Sequence, residues 1–229
     1  MENKESIVIS LGGSMVVPNI PDPDFIIKFR DLIIDWVKNH NKRFFIIVGG
    51  GKTCRIYNEA LNKVIDATTE ELDWLGIYAT HLNAELVLLS FRGFAPKEIV
   101  TDPSVIPNLT EDVIIGAGWK PGCSTDLDAV LTANEVGAKK VINLSNIDYV
   151  YDSDPKTNPN AKKFENVSWK EYRSCIPSDW KPGMNTPFDP TSSKKAEESG
   201  LEVAFMAGAD LKSLENYLNG LPFVGTTIK

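Results

Sequence analysis

The chain has 229 residues, 42% of them apolar and 24% charged, ordinary proportions for a globular protein long enough to bury a full core. Its formal net charge of −7 argues against a general nucleic-acid or anionic-membrane surface, so any anion must meet a local set of donors. The three cysteines, Cys54, Cys123 and Cys175, form neither an even framework nor a CxxC metal pattern and read as free thiols of a reducing cytoplasm. No apolar run approaches the ~20 residues that span a bilayer, and the opening apolar stretch is too short for a signal-peptide core.

Strand and helix signals alternate from end to end. "SIVISL" (6–11) reads as a buried strand that stops at Gly12-Gly13, and Phe25, Phe29, Leu32, Ile33 and Trp36 then fall at helical spacing. "RFFIIV" (43–48) is a second strand, followed by three glycines and a helix to about Ile65. Thr68 and Glu71 are spaced as a capping box. Beyond them Leu72, Leu75, Ala79, Leu82, Leu86 and Leu89 step by three and four, a stripe that suits either the core or a subunit contact.

"EDVIIGAG" (111–118) predicts a third strand, 126–136 a helix and "KKVINL" (139–144) a fourth strand. The polar segment "SNIDYVYDSDPKTNPNAKKF" reads as a long loop or hairpin. Asp189 and Pro190 have the chemistry of an N-cap and first helical position, after a structured turn over 181–190. That helix ends near Gly200; "LEVAFM" (201–206) is a strand, Asp210–Leu218 a helix and "FVGTTI" (223–228) a last strand. Continuous apolar strands between amphipathic helices predict one α/β domain on a mainly parallel sheet covered on both faces, with two lobes meeting near residue 140.

Three strand ends share one grammar: "LGGS" (11–14), "VGGGK" (48–52) and "GWKPGCSTD" (118–126). Glycine lets backbone approach a ligand, and the following helix offers unpaired N–H groups to an anion. Three such turns at the carboxyl ends of strands favour a large polyanion, phosphates above all. It is neither a P-loop, which would need glycine where Ile46 stands, nor a Rossmann turn, which would need one at Cys54. Arg55, one helical turn past Gly51, can point its planar fork at the same anion, whereas Lys52 is equally well a surface lysine. Asp73, early in its helix, offers a carboxylate suited to a ribose diol or a favourable partner of the helix dipole.

In order and spacing these segments, together with "DWLGIYATHLNAEL" and the closing "GTTI", resemble the amino acid kinase superfamily, and within it the archaeal-type uridylate kinases. The resemblance implies a three-layer αβα sandwich on a mainly parallel sheet of about eight strands. It implies transfer of the γ-phosphoryl of ATP to UMP with Mg²⁺ bridging the donor phosphates. A hexamer is implied as well, with the acceptor over residues 1–138 and ATP over 139–229. Gly12, Gly13 and Ser14 would line the ATP phosphates; Gly50 would touch the UMP phosphate, with Gly51 and Arg55 close to both phosphoryl groups. Asp73 would bind the UMP ribose, and Trp119, Lys120, Pro121, Gly122, Cys123, Ser124 and Thr125 would wrap that nucleotide. Ser145, Tyr151 and Asp154 would hold the adenosine, with Asn146 and Lys163 nearby, and Asp126 would orient the basic groups around the transferred phosphoryl.

Two positions depart from the superfamily. Ser10 stands where many members carry a lysine, so Lys120 is expected to supply that charge as a catalytic group. His81 stands where an arginine is common; it marks weaker acceptor binding, a different acceptor, a subunit contact, or a partly buried and satisfied imidazole. Asn185 and Thr186 are further possible nucleotide contacts. The same fold with isopentenyl phosphate or an acylamino acid as acceptor, or with binding and no catalysis, are the competing readings. Lys-Thr-Cys-Arg after Gly51, where isopentenyl phosphate kinases place a histidine, counts against the former.

Overall fold

The structure is a computed structural model that describes residues 4–179, 184, 186–209 and 211–229. In chain order its elements are β1 (Glu5–Leu11), α1 (Gly13–Val16), α2 (Pro23–Asn39), β2 (Lys42–Val48), α3 (Gly51–Val64) and α4 (Thr69–Ser90). A 3₁₀ turn (Pro103–Asn108) precedes β3 (Val113–Gly116), α5 (Thr125–Glu135) and β4 (Lys140–Ser145). Then come β5 (Val150–Tyr151), β6 (Lys163–Phe164), β7 (Asn166–Val167), α6 (Trp169–Ser174), α7 (Pro190–Glu198), β8 (Glu202–Ala207), α8 (Leu211–Leu218) and β9 (Thr226–Ile228).

Seven strands form one sheet in the order β3-β2-β1-β4-β8-β9-β7, and β5 and β6 form a separate ribbon. All neighbours in the large sheet run parallel except β8 and β9. From β1 the chain crosses to β2 on one side and later to β4 on the other. The carboxyl end of β1 is therefore the point where the strand order reverses, the usual seat of a ligand in such sheets.

Strand alternation divides the core. Phe44, Ile46 and Val48 face a cluster with Phe29, Ile33 and Trp36 of α2, Ala84, Val87 and Leu88 of α4 and Leu214 of α8. Phe45 and Ile47 face the opposite cluster, with Ala129, Val130 and Ala133 of α5, Trp169 and Tyr172 of α6 and Ala196 of α7. A strand covered on both sides has no room for polar alternation, which is why β2 reads as an unbroken apolar run. The result is three layers.

Local chemistry sets the helix starts. The Asp22 carboxylate accepts Phe25 N–H at 3.0 Å ahead of Pro23. Thr68 and Glu71 close the expected capping box. Asp189 accepts the N–H groups of Thr191 and Ser192 at 2.8 and 3.0 Å.

The structure departs from the sequence reading in several places. The third strand is only Val113–Gly116, because Glu111 and Asp112 serve Arg43 and Lys4 and the Gly118 N–H turns to a side chain of α4. The last strand shortens to Thr226–Ile228. Of the two readings of the α4 stripe, core does not hold for Leu82, Leu86 and Leu89, which are 64, 37 and 59% exposed, while Ala79 of the stripe and Ile77, Ala84, Val87 and Leu88 beside it are buried. Three- and four-residue steps mark an apolar face without saying which of two such faces meets the sheet. α1, the 3₁₀ turn, β7 and α6 are too short to show a period and were not predicted. Asp210, the expected first residue of the last helix, and residues 181–183 and 185 of the expected turn, Asn185 among them, lie outside the described residues. Among the described residues no helix is long and apolar enough to cross a membrane.

Phe29, 1% exposed, stacks on Phe25 and meets the edge of Phe91. Phe29→Ala is expected to cost about 3–5 kcal/mol through lost burial and a residual cavity, read as a lower urea midpoint with an unchanged slope.

Candidate functional site

The glycine turns after β1 and β2 pack backbone against backbone. A Cβ on Gly13 would lie 2.2 Å from the Gly49 carbonyl oxygen and 2.5 Å from the Gly51 nitrogen. Gly51 holds φ of +56°, and a Cβ there would lie 2.4 Å from the Gly13 carbonyl carbon. Only glycine permits that approach. On the other side Gly12 donates its N–H to Leu144 at 2.8 Å, which ties the β1 turn to the end of β4. Asn83 of α4 fixes the β2 turn by donating from Nδ2 to the carbonyls of Gly49 and Gly50 at 2.9 and 3.1 Å. No side chain caps α3, so its leading N–H groups are left for an anion.

The loop from 118 to 125 is held by side chains of three helices. Thr80 Oγ1 accepts the Gly118 N–H at 2.8 Å, and His81 Nε2 meets the Gly118 carbonyl at 2.9 Å. Asp128 Oδ2 accepts Trp119 N–H at 3.2 Å, Asp73 Oδ2 accepts Gly122 N–H at 2.7 Å, and Ser124 Oγ donates to Asp189 Oδ2 at 2.5 Å. Gly122, at φ of +83°, makes the bend. His81 is thus partly buried with one ring nitrogen bonded to the loop, as one of the expected readings has it.

A cavity of about 260 Å³ opens between these parts. Gly50, Gly51, Arg55, Asp73, Cys123, Ser124, Thr125 and Asp126 line it, as do Cys54, Asn58, Met184, Thr186 and Asp189. Asp126, at the head of α5, is reached from the sheet itself: Ser10 Oγ of β1 and Asn143 Nδ2 of β4 both donate to its Oδ1, at 2.8 and 2.9 Å. Ser10 therefore anchors the carboxylate rather than leaving a gap where lysine is common. Burial first, and then the Asp189 charge, push Asp126 up to about 7 against those two hydrogen bonds. Burial likewise raises Asp73, opposed by its bond from Gly122, and pushes Asp128 up to about 8. The thiols of Cys54 and Cys123 are raised by burial, which leaves them poor nucleophiles.

The other expected residues lie apart from this cavity. Ser14 faces a different space of about 720 Å³ beside α2 and α8. Lys120 is exposed, its ammonium 3.6 Å from the Trp119 ring centroid, so in this conformation it does not enter the cavity. Ser145 ends β4 beside Gly12, and its buried hydroxyl has no partner, an orphan that suits a ligand oxygen. Tyr151 pairs with Lys163 in the β5–β6 ribbon, and Asn146 is exposed at the ribbon's approach. Asp154 accepts the Lys156 N–H at 2.9 Å, and Lys163 pairs with Glu165 at 3.3 Å over the Tyr149 ring. Sequence reasoning missed Asn83, Asn143 and Asp128 and saw Asp189 only as a cap. Each is a polar residue inside an apolar run or buried helix face, and that contrast was the available signal.

The sequence profile of the Amino acid kinase family matches residues 5–206. This chain belongs to the amino acid kinase family. Within that family it is 33% identical over 226 residues to the uridylate kinase of Pyrococcus abyssi, covering 97% of this chain and 99% of the relative. It is 34% identical to that of Methanospirillum hungatei, over 97% of this chain and 94% of the relative. The crystal structure of uridylate kinase from Archaeoglobus fulgidus superposes with a TM-score of 0.81 at 31% identity, covering 97% of this chain and 99% of that one. UMP kinase from Ureaplasma parvum, at 20% identity and a TM-score of 0.72, shares the amino acid kinase fold.

Gly13→Ala and Gly51→Ala are each expected to prise the two turns apart and abolish activity, by at least about a hundredfold in kcat/KM, while far-UV circular dichroism keeps its α/β signature. A second outcome follows from the raised carboxyls. An acid whose folded pKa lies above its unfolded value holds its proton more tightly when folded. Its stabilising effect is complete at low pH and is lost as pH rises through the folded value. With Asp126 at about 7 and Asp128 at about 8, the melting temperature should fall between roughly pH 5 and 8. Asp126→Asn should flatten that decline.

Proposed function

We propose that this protein is an ATP-dependent phosphotransferase that passes the γ-phosphoryl of ATP to UMP, giving ADP and UDP for pyrimidine nucleotide synthesis. The observation that carries the reading is the interlock of the β1 and β2 glycine turns at the switch point of the sheet. It sets the uncapped head of α3 between the end of β4 on one side and the 118–125 loop on the other. Donor and acceptor phosphates can meet there.

In this reading ATP lies over the carboxyl-terminal half, about 139–229, and UMP over about 1–138. Backbone N–H groups of Gly12, Gly13 and Ser14 take the donor phosphates, with the free Ser145 hydroxyl at their edge; Tyr151, Asp154, Asn146 and Lys163 lie on the adenosine side. Gly50 and the head of α3 take the acceptor phosphate, and Arg55, lining the cavity, faces both phosphoryl groups. Asp73 has a second oxygen left for the ribose diol beside its bond to Gly122. Little covalent chemistry falls to the protein in such a transfer, which depends on alignment and charge neutralisation. Asp126, fixed by Ser10 and Asn143, orients the cationic groups, and Lys120 can swing from the Trp119 ring to the phosphates.

The described residues contain no cluster of three or more acidic, His or Cys side chains that could hold a metal alone. In this reading Mg²⁺ would be carried mainly by the nucleotide phosphates, where it would neutralise the charge on the transferred group. Exposed Ile56 and Tyr57 of α3 with Trp74, Tyr78, Leu82 and Leu89 of α4 support a homo-oligomer, a hexamer by family resemblance. An isopentenyl phosphate acceptor is not favoured, since it would offer no partner to the Asp73 oxygen that the Gly122 bond leaves free in the cavity wall.

One coupled ADP-release assay across UMP, CMP, dUMP, isopentenyl phosphate and acetylglutamate checks the reading: UMP should give the highest kcat/KM, and isopentenyl phosphate as best substrate would overturn it. Asp73→Asn should raise the KM for UMP by roughly tenfold or more and leave that for ATP unchanged, since bonds to a charged acceptor contribute about 1.5–3 kcal/mol.

A further inference from the structure

Asp128 lies in the first turn of α5, 1% exposed, among buried Leu127, Ala129 and Val130. An aliphatic residue would satisfy that packing. Instead a carboxyl is present, with Oδ2 accepting Trp119 N–H at 3.2 Å and Oδ1 without any partner. A buried carboxyl that serves a single N–H is destabilising unless it does something for the group it holds. That group is the second peptide of the 118–125 loop. Of the loop's three carboxylate anchors, Asp73 and Asp189 also line the cavity, whereas Asp128 stands behind the loop and does not.

Resting on the kinase reading above, we propose that Asp128 is a positioning residue of the acceptor site: it pins the Trp119 peptide so that Lys120 and residues 122–125 are presented to the acceptor nucleotide. Asp128 touches no substrate. It acts through the loop that does.

The charge on this carboxyl matters as much as its oxygen. The ionisable groups that face it are Asp126 on its own helix, Asp189 at the head of α7, and Lys120 and Cys123 on the loop. Burial, with smaller contributions from Asp126 and Asp189, outweighs the Trp119 bond and Lys120 and raises Asp128 to about 8, so at neutral pH it is an uncharged acceptor. When it ionises, a further negative charge stands behind a loop that must receive an anionic nucleotide, and it draws Lys120 backward. Acceptor affinity should then decline as pH passes through that value, while the donor site is unaffected.

The test compares wild type, Asp128→Leu and Asp128→Asn by UMP titration calorimetry and by initial rates with UMP and ATP varied, from pH 6.5 to 9. Asp128→Leu should weaken UMP, in both Kd and KM, by about tenfold at pH 7, the size expected for orphaning one partly buried N–H, with KM for ATP unchanged. Asp128→Asn, which keeps an acceptor oxygen, should recover most of that loss. It should also remove the alkaline weakening that wild type shows near pH 8. UMP affinity in Asp128→Leu equal to wild type, or an alkaline decline in Asp128→Asn matching wild type, would overturn the proposal. If Asp128→Leu does not fold, the pH comparison with Asp128→Asn decides alone. A wild type that neither binds nor phosphorylates UMP sinks the kinase reading and this one with it. An active wild type with indifferent Asp128 variants sinks this one only.

Discussion

The site depends on two peptide turns approaching closer than any side chain would allow. Gly13 and Gly51 meet with their backbones in contact, so the ends of β1 and β2 act as a single surface. β4 joins through the hydrogen bond from Gly12 to Leu144. The parallel register of β1 with both neighbours places all three strand ends at one level. Spread the turns by one methyl group and the amides at the head of α3 no longer lie on one surface with those after β1.

Around that point negative charge is arranged with care, which is unexpected in a place suited to polyanions. Asp73, Asp126, Asp128 and Asp189 all lie on or behind the cavity wall, and each accepts hydrogen bonds from the protein itself. Their work is largely mechanical: three of them hold the 118–125 loop, and the fourth is held by the sheet through Ser10 and Asn143. Burial raises Asp126 to about 7 and Asp128 to about 8, so both are partly protonated near neutral pH and the wall is less repulsive to phosphate than a count of aspartates suggests. Cations are few, Arg55 in the cavity and Lys120 on the loop, and the backbone supplies most of the positive field.

The alternation of elements, both helix caps named in advance and all three glycine turns were legible in the sequence, because each depends on residues within a few positions of one another. Gly50, Gly51, Asp73, Cys123, Ser124, Thr125 and Asp126, drawn from separate motifs, line one cavity, whereas Trp119, Lys120, Pro121 and Gly122 do not. Asn83, Asn143 and Asp128 were not legible, since their partners lie 34, 17 and 9 positions away. The pairing of Ser10 with Asp126 spans 116 positions. The stripe of α4 left core and subunit contact both open for a related reason: periodicity records that a face is apolar, and the face that meets the sheet is chosen by packing.

By itself the sequence determined the class of fold, the strand ends that could meet phosphate and the residue types available there, because backbone freedom at glycine, capping chemistry and apolar periodicity are local properties. Only the tertiary structure decided that two of those turns touch, that Ser10 serves Asp126, and that His81 meets the 118–125 loop. Those outcomes rest on which strands become neighbours, and strand order is fixed by burying both faces of the sheet at once, a condition no short stretch of chain can express.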